Sequence, residues 1–467
     1  MSETTTLSLA LAQFVTDMGY DDLPIRAREM AKRCLLDAIG VSLAATGQAD
    51  VCRPFREYAI EQGGRPDCTL FGSEVRVPAP AAAFANGALA HALDFEDSHD
   101  GALLHPNAPT IPAVLAVSEA YGPISGRDLI SAIVLGCEVA CRIGLALEVP
   151  MDRYGWYPPP IIAAFGATAA VGKLLKLDAV QLVDAFSLTL CQATCSAELK
   201  TSPHSDVRAV RDAFPAQIAV GSALLARKGV RGFDRPLEGA AGFFALYARG
   251  AYSPQALTDA LGQRFEIERI SFKPWSSCRG THAFIEAAQQ FVRAHRIDVG
   301  AISSVELTGS RLNRMLAEPL PQKRRPATAI DAKFSLPFTV AVALRKGTVT
   351  LDDFSTAAIT EEATLDLAAR VSYSACASQP DKGIEALRGS VTIHMRDGLQ
   401  HRIEIDEPLG SERRPIEDDM LIAKFRDCCR RARTVPSDGL IESWAQQIFS
   451  LEKCEDVRSL VRSFGSQ

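Results

Sequence analysis

Ser390 to Ile405 reads SVTIHMRDGLQHRIEI. Apolar and polar residues alternate on both sides of Asp397-Gly398, a dipeptide suited to the tight turn of a β-hairpin. This is the strongest hairpin signal in a chain whose earlier half is patterned as helix, so its reading decides the fold. Just upstream, SSVELTGS (303–310) also alternates like a strand, whereas THAFIEAAQQFVRAHRI (281–297) has helical spacing. Past the hairpin, EDDMLIAKFRDCCRRA (417–432) returns to helix. The expected fold class is therefore mainly α: a large all-helical domain with an inserted smaller α+β domain. Residues 1–270 form the first part of the helical domain and 271–405 the α+β domain. Residues 406–467 form a helical tail that rejoins the helical domain.

The helical half carries its own punctuation. Pro24 opens IRAREMAKRCLLDAIGVSLAA, which ends near Gly47. Ser125 with Asp128 forms an N-cap before LISAIVLGCEVACRIGLAL, and Asp178 starts AVQLVDAFSLTLCQATCSA. IIAAFGATAAVGKLL is rich in Gly and Ala and can pack closely. RAVRDAFPAQIAVGSALLARKG carries Pro215 as a kink or first-turn residue and ends at Gly229, and Ser253 begins PQALTDALGQRF. No repeat of solenoid length is present.

The chain has 467 residues, 47% apolar and 23% charged, with a net charge of −6. That supports a large core and argues against nucleic acid as a partner. The N-terminus lacks a signal-peptide pattern and no apolar run reaches membrane-spanning length, so no membrane association and a cytoplasmic location are expected. The cysteines show no C-x-x-C and no iron–sulfur spacing. Cys137/Cys141 and Cys191/Cys195 read as buried, reduced thiols on helix faces.

Titratable groups crowd into HALDFEDSHDGALLHP (His91–Pro106). If the preceding helix continues, His91, Asp94 and Ser98 share one face with Asp97 beside them, and Pro106 holds His105 in an extended loop. The histidines lack H-x-x-x-H register, which argues against metal. A solvated helix end with His91 as cap and an acid/base role both stay open. In KPWSSCRGTHAF (Lys273–Phe284), cations precede a helix start, an arrangement suited to a carboxylate. Lys273 beside other cations is a candidate base, and Cys278 a candidate nucleophile. Arg208 and Arg211, with His204 nearby, are candidates for anion binding. Tyr154–Pro160 reads as a packing corner and DAKFSLPF (Asp331–Phe338) as core where the two domains meet.

HALDFEDSH…HP, FGATAAVGKLLKL, KPWSSCRGTHAFIEAA and DAKFSLPFTVA together resemble the MmgE/PrpD family, over about residues 5–450. That family includes 2-methylcitrate dehydratase, cis-aconitate decarboxylase and iminodisuccinate epimerase. The resemblance implies a homodimer, no metal and no organic cofactor, and a small di- or tricarboxylate as substrate. It assigns the family's acidic position to Asp94, its hydroxyl position to Ser98, its loop histidine to His105 and its boundary lysine to Lys273. A family histidine before the small-residue helix is replaced by Tyr157, a lysine by Arg208, and a later histidine by Cys278. Those replacements favour a cofactor-independent epimerase of an iminodisuccinate-like amino dicarboxylate, with Lys273 and Tyr157 as two bases. His105 and Asp94 relay protons, while Ser98, Arg208, Arg279 and His282 bind substrate. The alternative is a hydro-lyase or decarboxylase of a 2-methylcitrate- or aconitate-like acid, and a third reading is a non-catalytic helical binding module.

Overall fold

A computed structural model describes residues 6–202, 205–295 and 298–465. The fold is mainly α with a smaller α+β region. Helix Ile25–Gln48 runs through the core, with sixteen buried residues along its length. Ala79–Ala92, Asn107–Tyr121 and Gly126–Ala146 pack on it, and Pro158–Leu174 and Ala213–Arg227 pack on those helices in turn. Ser125 caps Gly126–Ala146 by accepting from the Asp128 N–H, and Asp178 and Gln181 form a capping box. Pro215 lies in the first turn of Ala213–Arg227, where its missing N–H costs nothing.

Small residues set the helix spacing. A Cβ on Gly166 would lie 2.4 Å from the Gly136 carbonyl oxygen and 2.7 Å from the Ala140 Cβ. Helices Gly126–Ala146 and Pro158–Leu174 thus cross nearly backbone to backbone. Gly166→Ala is expected to destabilise the fold by about 1–3 kcal/mol through overpacking. Denaturant unfolding measures it, and an unchanged midpoint would show that the crossing can spread at no cost.

In the α+β region the hairpin pairs Gly389–Met395 with Gln400–Ile405, with Gly398 in the left-handed region at φ 92°. Ile302–Gly309 joins antiparallel to the first of these strands. Val371–Ala375, not read as a strand in the sequence, adds in parallel to Ile302–Gly309 and makes a four-stranded mixed sheet. Helix His282–Ala294 covers the sheet, and Leu336–Lys346 packs on that helix. Helix Asp418–Arg430 packs back on Ile25–Gln48, where a Cβ on Gly40 would come within 2.9 Å of the Phe425 ring.

Three sequence expectations need correction. The helix entering HALDFEDSH stops at Ala92, so His91, Asp94 and Ser98 do not share a helix face. Cys137 and Cys141 are buried with sulfurs 3.8 Å apart, but helix Ala179–Leu190 ends before Cys191, which is exposed. Gly126–Ala146 does have the length and mean hydropathy of a membrane span. Its apolar window is 89% buried inside the protein and it carries Glu138 and Arg142, paired at 2.6 Å.

Candidate active site

The site is built on a sharp chain reversal. Helix Ala79–Ala92 ends, Leu93 caps it, and Asp94 turns left-handed at φ 48° with its N–H bonded to the His91 carbonyl at 2.7 Å. Aspartate is among the few non-glycine residues that adopt this conformation readily. The chain then runs back as Ser98-His99, paired antiparallel with Ile270-Ser271. That two-residue ladder sets the register that brings Lys273 against Asp94, although they are 179 positions apart.

Lys273 is fully buried. Its ammonium donates to Asp94 Oδ1 at 2.6 Å and to the Asp94 carbonyl at 3.0 Å, and lies 3.9 Å from Glu96 Oε1. The same Glu96 oxygen meets His91 Nδ1 at 2.5 Å and His105 Nδ1 at 2.9 Å. His105 Nδ1 also faces the Asp97 carbonyl at 2.9 Å. A carbonyl only accepts, so His105 Nδ1 carries the proton and Nε2 is left as an acceptor. His91 is likewise held with Nδ1 toward the carboxylate, and its buried Nε2 has no partner among the described residues.

Charge balance fixes the protonation states. Burial alone would lower the Lys273 pKa, but Asp94 and Glu96 outweigh it and hold it above the ordinary lysine value. Burial would raise Glu96, yet His91, Lys273 and His105 together keep it well below the usual carboxylate range. His91 is lowered, by burial first and then by Arg211. Behind this layer Asp97 is pushed up to about 7 by burial and by Asp37. Lys424 bridges Asp37 (2.7 Å) to the carbonyls of Phe95 (2.6 Å) and Lys273 (3.0 Å), so the C-terminal helix pins both site segments.

Cationic groups surround this centre. Arg208 and Arg211 are both buried, and each has Nε and Nη2 without a hydrogen-bond partner among the described residues. Buried guanidinium donors left unpaired are costly, and an arriving carboxylate would satisfy them. Arg211 lies 3.5 Å from Asp212 and stacks 5.1 Å from the Tyr157 ring centroid. Tyr157 is buried at the N-cap of Pro158–Leu174. Arg211 also lines a cavity of about 660 Å³ with Thr194, Cys195, Leu199, Phe214 and Ile218.

Of the residues expected from sequence, Asp94, His105 and Lys273 meet in one cluster, with Arg208 and Tyr157 adjoining Arg211 nearby. Several expectations change. Lys273 is not a depressed-pKa base: the cation thought to lower it, Arg279, is turned away and chelates Asp100 at 3.0–3.2 Å. Arg279 also donates to the Leu409 carbonyl at 2.8 Å, so its donors are engaged in joining chain segments. His282 has both nitrogens engaged, by the Ser277 carbonyl and Arg279 at 3.2 Å each. Ser98 points its hydroxyl at Asp100, 3.4 Å away. Burial, then Asp94, push the Cys278 thiol up, which removes it as a thiolate nucleophile. His204 lies outside the described residues.

Sequence reasoning missed Glu96, the hub of the cluster, because attention to helical spacing singled out Asp94 and Asp97. It also missed Lys333, fully buried and 2.5 Å from Ser276 Oγ, whose pKa is lowered to about 7 by burial. Without any H-x-x-x-H spacing, the turn still gathers His91 and His105 with two carboxylates. His91, Asp94, Glu96 and His105 each place a ligand atom within 4.8 Å of the others, with the Lys273 ammonium beside them as a resident cation.

Known proteins match this chain along most of its length. The MmgE/PrpD N-terminal domain matches residues 9–255 and the MmgE/PrpD C-terminal domain residues 275–440. The cis-aconitate decarboxylase-like protein oryM of Aspergillus oryzae is 27% identical, over 97% of this chain and 95% of its own. Cis-aconitate decarboxylase of Homo sapiens is 26% identical over 98% and 93%, and that of Aspergillus terreus 26% over 97% and 94%.

Proposed function

Because the chain belongs to the MmgE/PrpD family, we propose that it is a cofactor-independent lyase of a small di- or tricarboxylate, a decarboxylase or hydro-lyase. The observation that carries this reading is the buried Lys273 ammonium held by Asp94 and Glu96 beside His105. The relatives' names, all of cis-aconitate decarboxylase type, support the same class.

In this reading Arg211 and Arg208 receive substrate carboxylates. In decarboxylation the bond to one carboxyl carbon breaks and carbon dioxide leaves. The electron pair stays on the substrate carbon and spreads into a neighbouring unsaturated acid. Lys273, kept protonated, stabilises that charge in a site of low dielectric. His105, cycling through its protonated form, delivers the proton that quenches it at carbon and recovers one from solvent. In dehydration the free Nε2 of His105 takes the proton from the carbon next to a carboxylate, the released electron pair forms the double bond, and the same nitrogen returns the proton to the departing hydroxyl, which leaves as water. The two-base epimerase expected from sequence fits less well, since Lys273 is paired and charged rather than free to take a proton. The division of the chain near residues 270 and 405, a homodimer and a cytoplasmic location are part of the same proposal.

The test is incubation with cis-aconitate, 2-methylcitrate and amino dicarboxylates in deuterated water, following carbon dioxide, alkene absorbance and carbon–hydrogen exchange. Release of carbon dioxide or a new alkene supports the lyase. Exchange with inversion and no alkene would replace it with the epimerase, and silence across the panel favours a binding module.

A further inference from the structure

Arg208 has a second cation beside it that no motif predicted. Its guanidinium carbon lies over the Phe334 ring, 3.4 Å from the centroid. Lys323 reaches the same residue from helix Leu320–Arg324 and donates to the Phe334 carbonyl at 2.9 Å. Phe334 is therefore a shared platform, held by one cation on its ring and by the other on its backbone. Both cations are largely buried. Among the described residues neither has a carboxylate oxygen within 4.0 Å, unlike Lys273 with Asp94 or Arg279 with Asp100. Arg208 also leaves two buried nitrogens without hydrogen-bond partners. Two adjacent, buried, unneutralised cations cost free energy in an empty protein, and an anionic ligand group removes that cost.

We propose that Lys323 and Arg208 form a two-cation clamp for the substrate carboxylate remote from the reacting carbon, making Lys323 a specificity residue that favours tricarboxylates over dicarboxylates. The inference rests on the lyase reading for its substrate and on geometry for its site. With Arg211 and the Lys273 centre, the clamp gives the site three separate places for negative charge. Lys323 is faced by Arg208 from the 207–210 turn, Cys278 from the segment after Lys273, and Asp331 from Ala329–Lys333. Burial, then Arg208, lower its pKa to about 8. A carboxylate bound between the two cations offsets both effects, so ligand binding above that pH draws a proton onto Lys323.

Calorimetric titration of the full-length protein with tricarballylate, a tricarboxylate without a leaving hydroxyl, and with glutarate tests this directly. Lys323→Met is expected to weaken tricarballylate binding about tenfold to a hundredfold and glutarate binding much less. At pH 8.5, in two buffers of different ionisation enthalpy, the wild-type protein is expected to take up protons on binding tricarballylate. Lys323→Arg, permanently charged, should retain affinity with the uptake lost. A purely structural Lys323 would not move that proton count. Wild-type affinity in Lys323→Met, undiminished uptake in Lys323→Arg, or no tricarballylate binding by the wild type would each overturn the clamp. Lys323-dependent binding without turnover of any acid would keep the clamp and sink the lyase instead.

Discussion

Lys273→Met is expected to lower turnover by about a thousandfold or more while leaving the protein folded. The figure combines loss of the fixed positive charge opposite the developing negative charge with disturbed proton delivery, each worth roughly two to three orders of magnitude or more in comparable sites. Methionine fills similar space, but it strands Asp94, which Lys273 contacts at 2.6 Å, and removes one of three groups that keep Glu96 ionised. Removing one partner of a buried pair costs about 3–5 kcal/mol, so a lower melting temperature accompanies the lost activity. Circular dichroism separates the two effects, and near-wild-type turnover in a folded Lys273→Met protein would remove Lys273 from the mechanism. The charge state adds a pH signature. The Lys273 pKa is raised on folding, so its stabilisation is complete below the unfolded lysine value and fades as pH climbs through the raised one. At neutral pH the full deficit of the variant is therefore observed.

Glu96→Gln should reduce turnover on the order of a hundredfold to a thousandfold. One Glu96 oxygen receives both His91 Nδ1 and His105 Nδ1. An amide of the same shape can present its oxygen to them but not its charge. His105 keeps its tautomer through the Asp97 carbonyl but loses the carboxylate charge facing its ring, and Lys273 keeps Asp94 as its one paired carboxylate. The stability profile changes in a defined direction. Glu96 titrates well below the ordinary carboxylate value in the folded protein. Its contribution is present above the unfolded value of about 4.5 and is lost as pH falls toward the depressed one. Wild-type protein should thus lose stability steeply in that acid window, and Glu96→Gln less steeply. Parallel acid profiles, or unchanged kcat, would show that Glu96 is a bystander.

These predictions depend on residues that were legible in the sequence to different degrees. Asp94, His105 and Lys273 stood out because charged groups in apolar or turn-rich sequence call for a partner. Arg279 and His282 stood out for the same reason, and their donors and acceptors are engaged within the protein by Asp100, Leu409, Ser277 and each other. A sequence shows which groups need partners and is silent about which partners they find. Glu96 and Lys323 went unread because nothing local marks a hub or a clamp. Glu96 acquires its role once the turn folds His91 and His105 of its own segment onto it and Lys273 arrives from a distant one, and Lys323 from Phe334 and Arg208.

The sequence by itself determined the helical framework, its caps at Ser125 and Asp178, the Gly398 hairpin, and the family, because these follow from short-range periodicity, turn chemistry and motif order. Tertiary structure alone decided the parallel strand Val371–Ala375, the end of the helix at Ala92 and the left-handed Asp94. It also decided the charge states. Lys273 is a cation and not a base because burial is outweighed by two carboxylates at 2.6 and 3.9 Å, and that balance exists only once distant segments are packed together.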